Sequence, residues 1–112
     1  MLTLDKLKEF GANTDEALAR CMGKEDFYIM LVGKAVADKN FKGLRDAIEA
    51  NDLEEAFAAA HALKGILSNL SLTPILNPVL EITEHLRNKT EMDYNDLVTE
   101  IEKQKERLEA LM

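Results

Sequence analysis

His61 is the side chain best suited to chemistry in this sequence, because a neutral imidazole nitrogen can act as a nucleophile near neutral pH. It lies in a segment from about Leu53 to Leu70 whose spacing predicts a helix. One broad face of this helix is apolar and comprises Ala56, Ala59, Ala60, Leu63, Ile66, Leu67 and Leu70. His61 points nearly opposite that face, so we expect its ring to be exposed.

Lys64 and Gly65 lie beside His61 on the predicted helix and fit a site for a phosphoryl group. Glycine inside a helix costs about 0.8–1 kcal/mol relative to alanine, so Gly65 needs a reason to be there. A missing side chain one turn from the imidazole leaves room for a phosphoryl group and for a partner. The Lys64 ammonium, on its flexible stem, can approach a phosphate that carries about two negative charges. The plainer alternative is a surface histidine beside a solvated lysine.

The sequence around these residues resembles the signature of the histidine-containing phosphotransfer (Hpt) family. Positions 60–65 read Ala-His-Ala-Leu-Lys-Gly, and Ser-Asn-Leu follows at positions 68–70. The segments at 46–60 and 80–87 are also similar to the family, and the resemblance covers nearly the whole chain. We therefore treat residues 1–112 as one Hpt domain.

The resemblance implies that His61 carries a phosphoryl group between the aspartates of response-regulator receiver domains. Lys64 would stabilise the phosphate, and Gly65 would keep the site open. The chain would be a carrier without autokinase activity, and a hybrid histidine kinase is a further candidate partner. It would bind no cofactor itself, because the receiver would bring the divalent ion. We expect it to be a monomer.

Two features depart from the family pattern. Many members hold the histidine ring with a Glu or Gln on the next helix, but the aligned residue here is Thr83. We expect Thr83 to do this more weakly, or Glu84 to substitute for it. Side chains larger than the family often has also occur at Ile66 and Ser71, where they would alter the packing or the docking surface.

The predicted face around His61 carries small or apolar residues where a solvated helix would carry Lys or Glu. An uncharged strip around a nucleophile predicts a docking surface, and its members are Phe57, Ala58, Ser68, Asn69 and Leu72. The alternative for Phe57 and Leu72 is that both lie at the edge of the core and are largely buried.

The composition excludes several classes of function. Fourteen Lys and Arg against 21 Asp and Glu give a net charge of -7, which argues against binding to nucleic acid or to an anionic membrane. The single cysteine, Cys21, cannot form an intrachain disulfide, and we expect no metal site. The sequence has neither a signal peptide nor a membrane-spanning run, so we expect a cytoplasmic protein.

Helical periodicity predicts an all-α fold, an antiparallel up-and-down four-helix bundle with additional short N-terminal helices. In the N-terminal half we expect a short turn at Leu4 and Leu7, a helix capped at Asn13 or Thr14, and a helix from Glu25 to about Asp38. The core-facing stripe of the third element is predicted to be Phe27, Met30, Leu31 and Ala35. Its spacing continues in Phe41, Leu44, Ala47 and Ile48 after a break at Lys39 and Asn40.

In the C-terminal half, Asp52 is expected to cap the helix that carries His61. The next helix could start at Thr73-Pro74 or at Asn77-Pro78, because proline suits the first turn of a helix. Asp93 is expected to cap the last helix.

Two other functions fit the sequence less well. The chain could be an adaptor without catalytic function, in which His61 is vestigial and the exposed helix only docks partners. A metal-binding bundle could use Glu81, Glu84 and His85, but a di-iron site needs Glu-x-x-His motifs on two helices and none is present. His85 is more simply an exposed residue near a helix C-terminus.

Overall fold

A computed structural model describes all 112 residues, which form seven α-helices and no strand. The helices are α1 (Leu4–Phe10), α2 (Thr14–Arg20), α3 (Glu25–Val36), α4 (Lys39–Glu49), α5 (Leu53–Asn69), α6 (Thr73–Arg87) and α7 (Asn95–Glu109). None of them is both long and apolar enough to span a membrane.

Helices α4 to α7 form the predicted four-helix bundle. Helix α5 packs against α4 and α6, α6 packs against α7, and α7 closes the ring on α4. Three residues separate α4 from α5, and three separate α5 from α6, so these neighbours run antiparallel. Each of these turns contains one residue with a left-handed backbone, Asn51 (φ 55°) and Ser71 (φ 52°). The predicted fold class is confirmed.

Side-chain caps set several helix ends where the sequence predicts them. Asp52 accepts a 3.1 Å hydrogen bond from the backbone N–H of Glu55, and Asn13 accepts one from Glu16. Helix α6 begins at Thr73, which decides between the two predicted starts. Pro78 lies inside α6, where its ring nitrogen has no hydrogen to donate to a carbonyl one turn earlier.

The predicted core stripe of α3 is wrong for two of its four members, Phe27 and Met30, whereas Ala35 is buried and Leu31 packs partly buried against the core. Phe27 and Met30 are 45% and 46% exposed, whereas Tyr28 and Val32 are fully buried. The helix is rotated by about one residue from the predicted orientation, with Ala35 on the buried face in both cases. Periodicity could not select the face because both sides of α3 carry large apolar residues.

The three N-terminal helices extend the bundle. Helix α1 packs against α2 and α7, and α3 packs against α2 and α7. Arg107 of α7 donates a hydrogen bond to the carbonyl oxygen of Phe10, and its guanidinium lies 4.6 Å from the centre of the Phe10 ring. Helices α1 and α2 have seven residues each, as predicted for short elements, while α3 has twelve.

Candidate functional site

His61 lies near the middle of α5 and is exposed, as the helical pattern predicts. The buried face of α5 consists of Ala56, Ala59, Ala60, Leu63 and Leu67. This face packs into the bundle core and fixes the direction in which the opposite face points. The imidazole therefore projects from a rigid element toward solvent, where a second protein could reach it.

The ring of His61 stacks on the ring of Phe57, one turn earlier in α5. The ring centroids are 5.8 Å apart and the ring planes meet at 19°. The guanidinium carbon of Arg87 lies 5.4 Å from the centre of the Phe57 ring, and the Arg87 Nε lies 3.4 Å from Glu84 Oε1. Three side chains, Phe57, Arg87 and Glu84, thus connect His61 to the C-terminal end of α6.

The prediction that Thr83 holds the His61 ring is wrong in this structure. Thr83 is only 1% exposed, and its hydroxyl donates a 2.6 Å hydrogen bond to the carbonyl oxygen of Val79. Glu84, the predicted substitute, pairs with Arg87 and makes no hydrogen bond to His61. Position 83 lies on the buried face of α6, which the alignment to the family could not reveal.

Lys64 and Gly65 lie on the open side of His61. Lys64 is half-buried, and its ammonium makes no ion pair within the chain. Gly65 is exposed, and a methyl group placed on its Cα would meet no atom within 4 Å. No contact inside the protein therefore requires glycine at this position.

A shallow groove runs beside Gly65 between α5 and α3. Its walls are Gly65, Ile66, Asn69 and Leu70 on one side and Leu31, Lys34, Ala35 and Asp38 on the other. The sequence pattern did not predict the α3 wall of this groove, because it gives no information on which helix lies beside Gly65.

The predicted docking residues differ in how far they are exposed. Ala58 and Asn69 are exposed, and Ser68 and Phe57 are half-buried. Leu72 is fully buried, so its assignment to the docking surface is wrong. It follows the turn after α5, and its backbone N–H donates to the carbonyl oxygen of Leu67, which turns its side chain into the core.

Arg20 of α2 caps the C-terminal end of α5. Its guanidinium donates to the carbonyl oxygens of Ser68 and Asn69, at 3.2 and 2.9 Å, and to the Ser71 hydroxyl at 2.9 Å. It also donates to Glu16 at 2.6 Å, and Ser71 donates to the same Glu16 oxygen. Hydrogen bonds from Arg20 and Ser71 lower the pKa of Glu16. About fifty residues separate Arg20 from Ser68, Asn69 and Ser71, so no local pattern could have predicted these contacts.

The side chains proposed for the rival metal site do not come together. No group of three or more His, Cys, Asp or Glu residues is placed to hold a metal ion. Cys21 is buried with a free thiol.

A sequence model of the Hpt domain matches residues 34–111 of the chain. The matched range takes in all of α4 to α7, while α1, α2 and most of α3 lie outside it. No curated protein and no solved structure matches the chain significantly.

Proposed function

The chain belongs to the Hpt domain family, whose members are phosphocarriers in phosphorelays and interact with receiver domains, and from this we propose that His61 is its phosphoryl carrier. The observation that carries the proposal is the exposed imidazole of His61 on a helix whose opposite face packs into the core, with an unpaired lysine and an open glycine beside it. His85, the other histidine, lies half-buried near the end of α6.

The proposed reaction is a direct transfer between two proteins. An unprotonated nitrogen of the His61 imidazole attacks the phosphorus of an aspartyl phosphate on a receiver domain. A nitrogen–phosphorus bond forms while the phosphorus–oxygen bond breaks, and the aspartate leaves as a carboxylate. In the second step a carboxylate oxygen of another receiver attacks the phosphohistidine, and the imidazole leaves.

Charge neutralisation is shared between the two proteins in this proposal. The phosphoryl group brings about two negative charges, and Lys64 is the cation one turn from His61. Long side chains in helices lean toward the N-terminal turn, and this direction brings the Lys64 ammonium back toward position 61. We assign the remaining positive charge to the receiver, which would bring a divalent ion.

The chain is proposed to act as a monomeric carrier without autokinase activity, fed by a receiver that is free or part of a hybrid histidine kinase. Access depends on Gly65, because a receiver must bring its aspartate within bonding distance of His61. The groove between α5 and α3 would admit the part of the receiver that lies beside the aspartate.

The test is to incubate the chain with a receiver domain that has been phosphorylated with acetyl phosphate. A carrier acquires one phosphoryl group that is stable in base and labile in acid, as intact-mass spectrometry can follow. An adaptor with a vestigial histidine would bind the receiver without acquiring the group, and that result would overturn the proposal.

A further inference from the structure

The His61 ring is held by stacking and by no hydrogen bond. Neither imidazole nitrogen donates to or accepts from another residue, while the Phe57 ring lies 5.8 Å away at an angle of 19°. These values lie within the range of offset-stacked aromatic pairs. A ring with no other polar contact takes its orientation from this neighbour.

Helix geometry explains why Phe57 occupies that place. Residues four apart lie on the same face, and helical side chains lean toward the N-terminus, so the His61 ring leans over the turn that contains Phe57. The stacked ring favours one combination of the two His61 side-chain torsions over the others. One turn after His61, a Cβ added at Gly65 would meet no neighbouring group within 4 Å, so the helix surface there is open.

Phe57 is itself restrained from α6. It is half-buried, and the Arg87 guanidinium lies 5.4 Å from its ring centre, a distance at which a cation is attracted to an aromatic ring. Glu84 in turn pairs with Arg87 at 3.4 Å. The ring that supports His61 is thus connected to a second helix of the bundle.

We propose that Phe57 is the positioning residue of this site, and that stacking on Phe57 holds the His61 imidazole in the orientation that attacks the phosphorus. This inference rests on the proposed function of His61. It assigns to an aromatic ring on α5 the task that the family resemblance assigned to Thr83 or Glu84. It also moves Phe57 from the docking surface to the support of the nucleophile.

The decisive variant is Phe57→Leu, which keeps an apolar side chain of similar reach and removes the aromatic face. With a receiver phosphorylated by acetyl phosphate as donor, we expect the maximal single-turnover rate to fall about threefold to tenfold, the range that one aromatic pair can supply. The receiver concentration at half-maximal rate should stay unchanged. Phe57→Tyr, which keeps the ring, should restore the rate.

Proton NMR gives a readout that does not depend on transfer. In the unphosphorylated protein the His61 ring protons should show a ring-current shift that Phe57→Leu abolishes and Phe57→Tyr retains. Arg87→Gln is a second variant at an exposed position, and it should lower the maximal rate less than Phe57→Leu does. Thermal unfolding of each preparation checks that the fold is intact.

Three outcomes would overturn the inference. The rate could be unchanged in Phe57→Leu, the half-maximal concentration could rise while the maximal rate stays constant, or Tyr could fail to restore the rate. The second of these would make Phe57 a docking residue. Wild-type protein that acquires no phosphate would instead overturn the proposed function, so the two failures are distinguishable.

Discussion

The hydroxyl of Tyr28 on α3 donates a 2.9 Å hydrogen bond to the carbonyl oxygen of Leu70, the residue that follows α5. Tyr28 is fully buried, so this bond satisfies a carbonyl that the end of the helix would leave unpaired. The contact holds α3 against the helix that carries His61. It also explains why Tyr28, and not its neighbour Phe27, faces the core.

Burial of Tyr28 predicts a loss of stability in strong base. Burial raises the pKa of Tyr28 to about 12, whereas a tyrosine in an unfolded chain ionises near pH 10, or about two units lower. The folded protein therefore retains a proton that the unfolded chain releases, and the free energy of unfolding falls as the pH rises from about 10 to about 12. Urea denaturation at several pH values would measure this fall. Tyr28→Phe should be less stable at neutral pH and should show a smaller decline, and an equal decline in that variant would contradict the assignment.

Gly65→Gln is expected to separate stability from function. Glycine is the poorer helix former, and nothing in the chain occupies the space at Gly65, so the variant should be equally stable or more stable by up to about 1 kcal/mol. Transfer from a phosphorylated receiver should fall sharply because the new side chain obstructs its approach. Both quantities should be measured on one preparation.

Gly11→Ala is the matched control for the stability measurement on Gly65→Gln. Gly11 has a φ of 111°, and a Cβ there would lie 2.9 Å from Pro74 Cγ, so this variant should be destabilised. Normal transfer by Gly65→Gln would show that the glycine is not needed for the receiver's approach.

Lys64→Ala is expected to slow phosphoryl transfer, or to shorten the lifetime of the phosphorylated protein, without stopping acceptance. The change removes a nearby positive charge and leaves the nucleophile in place. Lys103→Ala on α7 removes one exposed lysine from a different helix and serves as the control for net charge. If Lys64→Ala and Lys103→Ala transfer equally well in both directions, Lys64 has no part in the site.

Arg20→Ala is expected to loosen the C-terminal end of α5. It removes hydrogen bonds to two backbone carbonyls and leaves Glu16 without its cation, which should cost about 1.5 kcal/mol of stability. Hydrogen exchange should speed up at amides near Ser71 more than at those around Ala56. If the substitution changes the exchange rates near Ser71 and around Ala56 by the same factor, Arg20 does not order this end of α5.

The parts of the fold that local sequence determines could be predicted. The exposure of His61 follows from the apolar residues on the other side of one helix, and the cap at Asp52 follows from its place before that helix. A start of α6 at Thr73 was one of two predictions because two proline signals occur close together. The choice between Thr73 and Asn77 as the start of α6 depends on how the turn after α5 packs, which the sequence does not show.

The remaining errors concern side chains whose place depends on distant contacts. Tyr28 selects the buried face of α3 through Leu70, forty-two residues away. Thr83 and Leu72 face the core because of how α6 packs on its neighbours. The support of His61 was sought on α6 by family analogy, whereas the stacking partner, Phe57, lies one turn earlier on the same helix.

The most direct test of the central claim compares His61→Gln with His85→Gln in phosphate acceptance from a phosphorylated receiver. Glutamine cannot act as the nucleophile, and His61 is exposed, so His61→Gln should keep its thermal stability and acquire no acid-labile phosphate. His85→Gln should be labelled like the wild-type protein. Labelling that persists in His61→Gln would contradict the account.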